Sequence, residues 1–110
     1  MAPLNMPQIS ELKDLMEDAF ADLIDTYLSD SEDKITRLRA AIDSGDAPLC
    51  VELAHALKGA SANICAEALA GLFKALEDQA RSGNLSPMSG AFSELSDEFQ
   101  RVKEALLGLL

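Results

Sequence analysis

Tryptophan is absent from this 110-residue chain, tyrosine occurs once and phenylalanine four times. β-Branched residues are also sparse, so the apolar 48% rests mainly on leucine and alanine. That balance favours helices packed through aliphatic side chains over a sheet, and so apolar a chain is no disordered tail. Basic residues are few, nine Lys and Arg against 19 Asp and Glu, for a net charge of −10. This argues against a nucleic-acid surface, because phosphate neutralisation needs clustered cations, and against an anionic membrane surface. No apolar run approaches the ~20 residues that span a bilayer. The opening Met1-Ala2-Pro3-Leu4-Asn5 has neither the basic nor the apolar region of a signal peptide, so a cytoplasmic protein is expected. Also missing are a glycine-rich phosphate loop, a Walker lysine motif and a kinase catalytic loop; no means of binding ATP is visible. The two cysteines, Cys50 and Cys65, fall on one predicted helix at a separation of roughly 22 Å, and a disulfide needs Cα atoms within about 7 Å. Free thiols in a reducing compartment are expected.

What is present is helical periodicity. One domain with a single core is the expectation for this length, covering residues 8–110 after a loose, Pro-containing lead-in over 1–7. Ser10 is a candidate cap for a short first helix carrying Ile9, Leu12, Leu15 and Met16. Phe20, Leu23, Ile24, Tyr27, Leu28, Ile35, Leu38 and Ile42 follow at helical spacing. The pattern runs from Leu12 to Ile42 with no Gly or Pro, but a helix beyond ~25 residues is uncommon in so small a domain. A break is therefore placed near Glu17–Asp18. The acids Asp25, Glu32 and Asp33 read as the solvated face of this second helix.

Ser44-Gly45-Asp46-Ala47-Pro48 is the clearest punctuation: Gly45 ends one helix in the left-handed conformation, Asp46 caps the next and Pro48 sits in its first turn. That next helix is expected from about Ala47 to Ile64. Another carries Leu69, Leu72, Phe73 and Leu76 and ends near Arg81-Ser82-Gly83-Asn84. Ser86 and Pro87 read as cap and first residue of the last, which carries Phe92, Leu95, Phe99, Val102, Leu106 and Leu107. Short connections make neighbouring helices antiparallel. The expected fold is all-α, an up-down-up-down four-helix bundle with the short N-terminal helix as a lid on one end.

The only histidine, His55, lies on the third helix. Lys58, Gly59 and Ala62 share its face at i+3, i+4 and i+7, while Leu53, Leu57, Ala60 and Ile64 form an apolar stripe on the other side. His55 is thus on the wet face, with a cation one turn on. Imidazoles titrate around pH ~6.5, so an exposed ring offers a neutral nucleophile at physiological pH, and phosphoryl transfer asks of a protein mainly positioning and charge neutralisation. Gly59 costs its helix roughly 1 kcal/mol against alanine, which points to close approach of another molecule. By position alone Lys58 is an ordinary solvated lysine and Ala62 a plain helix former. Ser61, about 240° round from His55, reads as an interhelical or backbone-directed hydroxyl. Glu52-x-x-His55 also fits the Glu-x-x-His pattern of di-iron bundles, but those sites need two such motifs and two further glutamates, and Lys58 opposes a dication. No metal site is expected.

The stretch His55-Ala56-Leu57-Lys58-Gly59-Ala60-Ser61-Ala62-Asn63-Ile64-Cys65-Ala66 resembles the signature of histidine-containing phosphotransfer (HPt) domains, H-x-L-K-G-x-S-x-N-x-G-A. His55, Leu57, Lys58, Gly59, Ser61, Asn63 and Ala66 match; Cys65 stands where the family has glycine. If that glycine ends the helix in a left-handed turn, cysteine costs about 1 kcal/mol there; otherwise the helix runs on. The resemblance places a helix break near Glu17–Asp18 as well. It implies a phosphocarrier that accepts a phosphoryl group on His55 from a receiver-domain aspartate and gives it to another, with Lys58 balancing phosphoryl charge and Gly59 leaving room for the partner. Leu49, Val51, Ala56 and Ala62 are the candidate contact ring. The implied partners are receiver domains of response regulators and hybrid kinases; Mg²⁺ comes with the receiver and no cofactor belongs to this chain. The starting methionine and the lack of an attached kinase core suggest a separate protein, and a single-site acidic bundle a monomer. The competing reading is a helical interaction module without chemistry, which would not require the His55–Lys58–Gly59 trio. A metalloprotein is the third.

Overall fold

The structure, a computed structural model, describes residues 2–110 and consists of five helices: α1 (Met6–Met16), α2 (Ala19–Ser44), α3 (Ala47–Asn63), α4 (Glu67–Arg81) and α5 (Met88–Leu107). Within the set α2 to α5 each helix packs against two others, α2 on α3 and α5, and α4 on α3 and α5, while α1 packs on α2. Short turns join them, which closes the antiparallel four-helix bundle expected from the periodicity. The core is built from the predicted stripes: Ile24 and Leu38 from α2, Leu57 from α3, Leu69, Phe73 and Leu76 from α4, and Leu95, Val102 and Leu106 from α5 are all fully buried. Each contributes about 1.5–3 kcal/mol of transfer free energy, which outweighs the weak propensity preferences along the chain. Among the described residues, no helix is long and apolar enough to cross a membrane.

The turns follow local chemistry in most places. The break between α1 and α2 falls at Glu17 and Asp18. Gly45 adopts φ 75° and its N–H bonds the last carbonyls of α2, while the Asp46 side chain accepts from the Leu49 N–H at 3.1 Å. At the end of α3 the structure chooses the first of the two alternatives for Cys65. The helix stops at Asn63, Cys65 takes φ 65°, and the Ala66 N–H returns to the Ser61 carbonyl at 2.9 Å. This is a left-handed helix stop made without glycine, and the side chain that bears the strain is buried.

Two expectations at the helix starts need correction. The lead-in over 1–7 is not loose where it is described: Leu4 is buried in the core, and Asn5, not Ser10, caps α1 by accepting from the Gln8 N–H at 3.3 Å. Met1 lies outside the described residues. Pro7 occupies the first turn of α1, where a missing N–H costs nothing, so the helix starts ahead of the proline. The Asn5 N–H also bonds the Cys65 carbonyl at 2.8 Å, and the Lys13 ammonium bonds the Leu109 carbonyl at 2.6 Å. These two contacts lay α1 across the end of the bundle where α3 turns into α4 and α5 finishes. Ser86 does not cap α5; that helix begins at Met88 with Pro87 ahead of it and no side-chain cap.

Ser61 is fully buried and pairs with the Tyr27 hydroxyl at 2.9 Å, so it is the interhelical hydroxyl its position suggested. The pair pins α3 to α2 and sets the rotation of α3. Cys50 and Cys65 are free, and burial pushes both thiols up from their ordinary pKa.

Candidate functional site

The α3 stripe that enters the core turns His55 outward, and 64% of its side chain is exposed. The antiparallel packing of α4 then brings Glu77 under the ring. His55 Nδ1 lies 3.0 Å from Glu77 Oε2, the Lys58 ammonium donates to Oε1 at 2.9 Å, and the Arg81 guanidinium donates to Oε2 at 2.7 Å. Glu77 itself is only 4% exposed. An isolated carboxylate so buried would be costly, and here three donors satisfy it. The bond from Lys58 and then that from Arg81 pull its pKa from an ordinary 4.5 down to about 2, against the opposing effect of burial; His55 adds a smaller pull in the same direction.

This arrangement decides the chemistry of the ring. An ionised carboxylate can only accept hydrogen bonds, so the hydrogen of the neutral imidazole sits on Nδ1 and the lone pair on Nε2. Nε2 makes no hydrogen bond among the described residues, on a side chain that is largely exposed. The site therefore presents an oriented nitrogen nucleophile, an anion behind it to offset positive charge on the ring, and two cations at its flanks.

The residues singled out in the sequence divide as follows. His55 and Lys58 meet on Glu77. Gly59 is exposed, and a methyl added there would meet nothing within 4 Å, so packing inside the chain does not demand glycine. Ala56 and Ala62 are exposed, while Leu49 and Val51 are half-buried against the core. Val51, one turn before His55, lines a shallow cleft with Ala47, Pro48, Ala80, Arg81 and Gly83. Glu52 makes no bond to the ring, and among the described residues no group of three or more His, Cys, Asp or Glu could hold a metal ion.

Sequence reasoning missed Glu77 and Arg81. The available signal was an acid within the buried face of α4, among Phe73, Leu76 and Ala80. A carboxylate in an apolar stripe needs partners; one, Arg81, lies a turn further along α4, and the other two, His55 and Lys58, lie 22 and 19 residues upstream.

The Hpt domain family model matches residues 22–105. No curated protein matches the sequence. Among solved structures, the chain is similar to histidine-containing phosphotransfer protein B (HptB) from Pseudomonas aeruginosa PAO1. The two share 35% sequence identity and superpose with a TM-score of 0.92 over 96% of this chain and 92% of that one.

Proposed function

The chain belongs to the Hpt domain family, whose members carry phosphoryl groups between receiver domains, and we propose that His55 is the residue through which it does so. The protein is a histidine phosphotransfer component of phosphorelays, and its partners are receiver domains of response regulators or hybrid kinases. The observation that carries the assignment of His55 is its 3.0 Å contact with a buried, ionised Glu77, which engages Nδ1 and leaves Nε2 as the nitrogen with the lone pair on a largely exposed ring.

On this reading the Nε2 lone pair attacks the phosphorus of a receiver's aspartyl phosphate in line. The P–O bond breaks and its electron pair returns to the aspartate carboxylate. The ring, keeping its Nδ1 hydrogen, acquires positive charge that faces the Glu77 anion. Lys58 offsets charge on the phosphoryl oxygens, which otherwise opposes the approach of two anionic partners. Delivery to a second receiver runs the same steps backwards. Mg²⁺ enters with the receiver. The site needs no group from a second copy, and we read the acting unit as a monomer. Gly59 and the exposed methyls of Ala56 and Ala62 leave a low surface beside the ring on which the receiver can close, with Leu49 and Val51 at its edge.

The test is phosphotransfer from a panel of receiver domains charged with a small phosphodonor and Mg²⁺. An acid-labile, base-stable +80 Da species on the wild type and none on His55→Gln is the expected result. No label from any receiver that charges another Hpt protein would leave an interaction module; label on His55→Gln would mean that another residue accepts.

A further inference from the structure

We propose that this chain has a second assembly state, a dimer in which two copies exchange α1. In it α1 and α2 of each copy join into one helix, and α1 lies across the bundle end of the other copy. The first support is the hinge. Only Glu17 and Asp18 separate α1 from α2, and Glu17 holds φ 51° and ψ −123°, a combination that suits glycine and that residues with a Cβ rarely adopt. Asp18 stands at the cap of α2 but makes no side-chain bond there. The turn is therefore strained and has no cap to support it. Opening it lets the chain continue as a helix: residues 8–44 contain neither glycine nor proline. Ile9, Leu12, Met16, Phe20, Leu23 and Tyr27 carry one apolar stripe through the turn at helical intervals. Short hinges under strain favour exchange between copies.

The second support is what α1 and its lead-in hold. Leu4 and Ile9 are buried. The Asn5 N–H bonds the Cys65 carbonyl, the Asn5 side-chain amide donates to Glu67 at 3.2 Å, and the Lys13 ammonium bonds the Leu109 carbonyl. None of these polar partners lies on α2, so α1 of another copy meets each of them equally well. Exchange keeps these bonds and relieves two hinges. The third support is the surface of that bundle end. Met6, Leu15, Leu107 and Leu110 are the large apolar side chains left exposed among the described residues, and all lie on α1 or at the close of α5 beside it. Leu15, 83% exposed, stands just ahead of the hinge. Joining two copies at this end draws these side chains out of water. Each copy keeps a complete site, because His55, Lys58, Glu77 and Arg81 all come from α3 and α4 of one chain; the proposal is independent of what His55 does.

The full chain is unfolded in urea, refolded at micromolar and at millimolar concentration, and sized by chromatography with light scattering. A dimer is expected from the concentrated refolding. Refolding an equal mixture of isotope-labelled and unlabelled chains then gives mixed dimers, in which filtered NOE spectra read contacts between chains. The methyls of Leu4 and Ile9 should show interchain contacts with core residues. Glu17→Gly suits the closed turn and weakens the joined helix, so it should weaken the dimer by about tenfold or more. Asp18→Ala removes no cap bond and strengthens the joined helix, so it should tighten the dimer severalfold. A monomer at every concentration in both wild type and Asp18→Ala would overturn the proposal. So would a dimer whose Leu4 and Ile9 contacts all stay within one chain, which is contact between bundle ends without exchange, or a Glu17→Gly dimer as tight as the wild type.

Discussion

Replacing Glu77 with glutamine keeps the size of the side chain and one oxygen for Nδ1–H, while removing the charge that holds Lys58 and Arg81. The effect should be written in the acid dependence of stability. A carboxyl moved from 4.5 to about 2 corresponds to about 3 kcal/mol, at ~1.4 kcal/mol per pKa unit. Lys58 is 31% exposed and Arg81 59%, so solvent screening of the partners reduces the contribution to about 1–2 kcal/mol. The sign follows from proton binding. Between these two pKa values the unfolded chain holds the proton and the folded chain does not, so stability rises with pH. The contribution is complete above about pH 5 and is lost as pH falls through 4.5 toward 2. Urea unfolding of wild type and Glu77→Gln, at half-unit steps from pH 7 to 2.5, isolates it. The wild type should lose about 1–2 kcal/mol more than the variant across that range. Parallel curves would refute the inference that an ionised, cation-held Glu77 is part of the native state. In the same variant phosphoryl transfer should slow by about tenfold or more, since a neutral amide does not offset the charge formed on the ring.

Three further outcomes are expected. Gly59→Ala should raise stability by about 0.5–1 kcal/mol in thermal or urea unfolding, because the methyl meets open space and helps the helix, and yet should slow transfer from a receiver; unimpaired transfer would remove the case for Gly59 as a clearance residue. At position 65, where φ is 65°, glycine should be more stable than alanine by about 1 kcal/mol in paired urea melts of the two variants; equal stability would mean that the left-handed turn has relaxed. Tyr27→Phe strands the buried Ser61 hydroxyl and should cost about 1–2 kcal/mol, detected as a lower urea midpoint at unchanged slope.

Most of the fold was legible because most of it is local. The left-handed stop at Gly45, the cap at Asp46 and the outward placement of His55 each depend on residues within one or two turns. The helix starts were less legible, because several residues can cap. Asn5 and Ser10 are both capable, and Asn5 prevails because Leu4 is drawn into the core and the Asn5 N–H meets the Cys65 carbonyl.

By itself the sequence determined the helices, the bundle, and an exposed histidine with a lysine one turn away, since 3.6-residue periodicity assigns every side chain to a face. Only the tertiary structure decided what stands behind that histidine. Glu77 and Arg81 reach it from α4 because core packing and the Tyr27–Ser61 bond set the rotation of α3 against its neighbours. A helical period says which way a residue points, but not which residue of another helix it will meet.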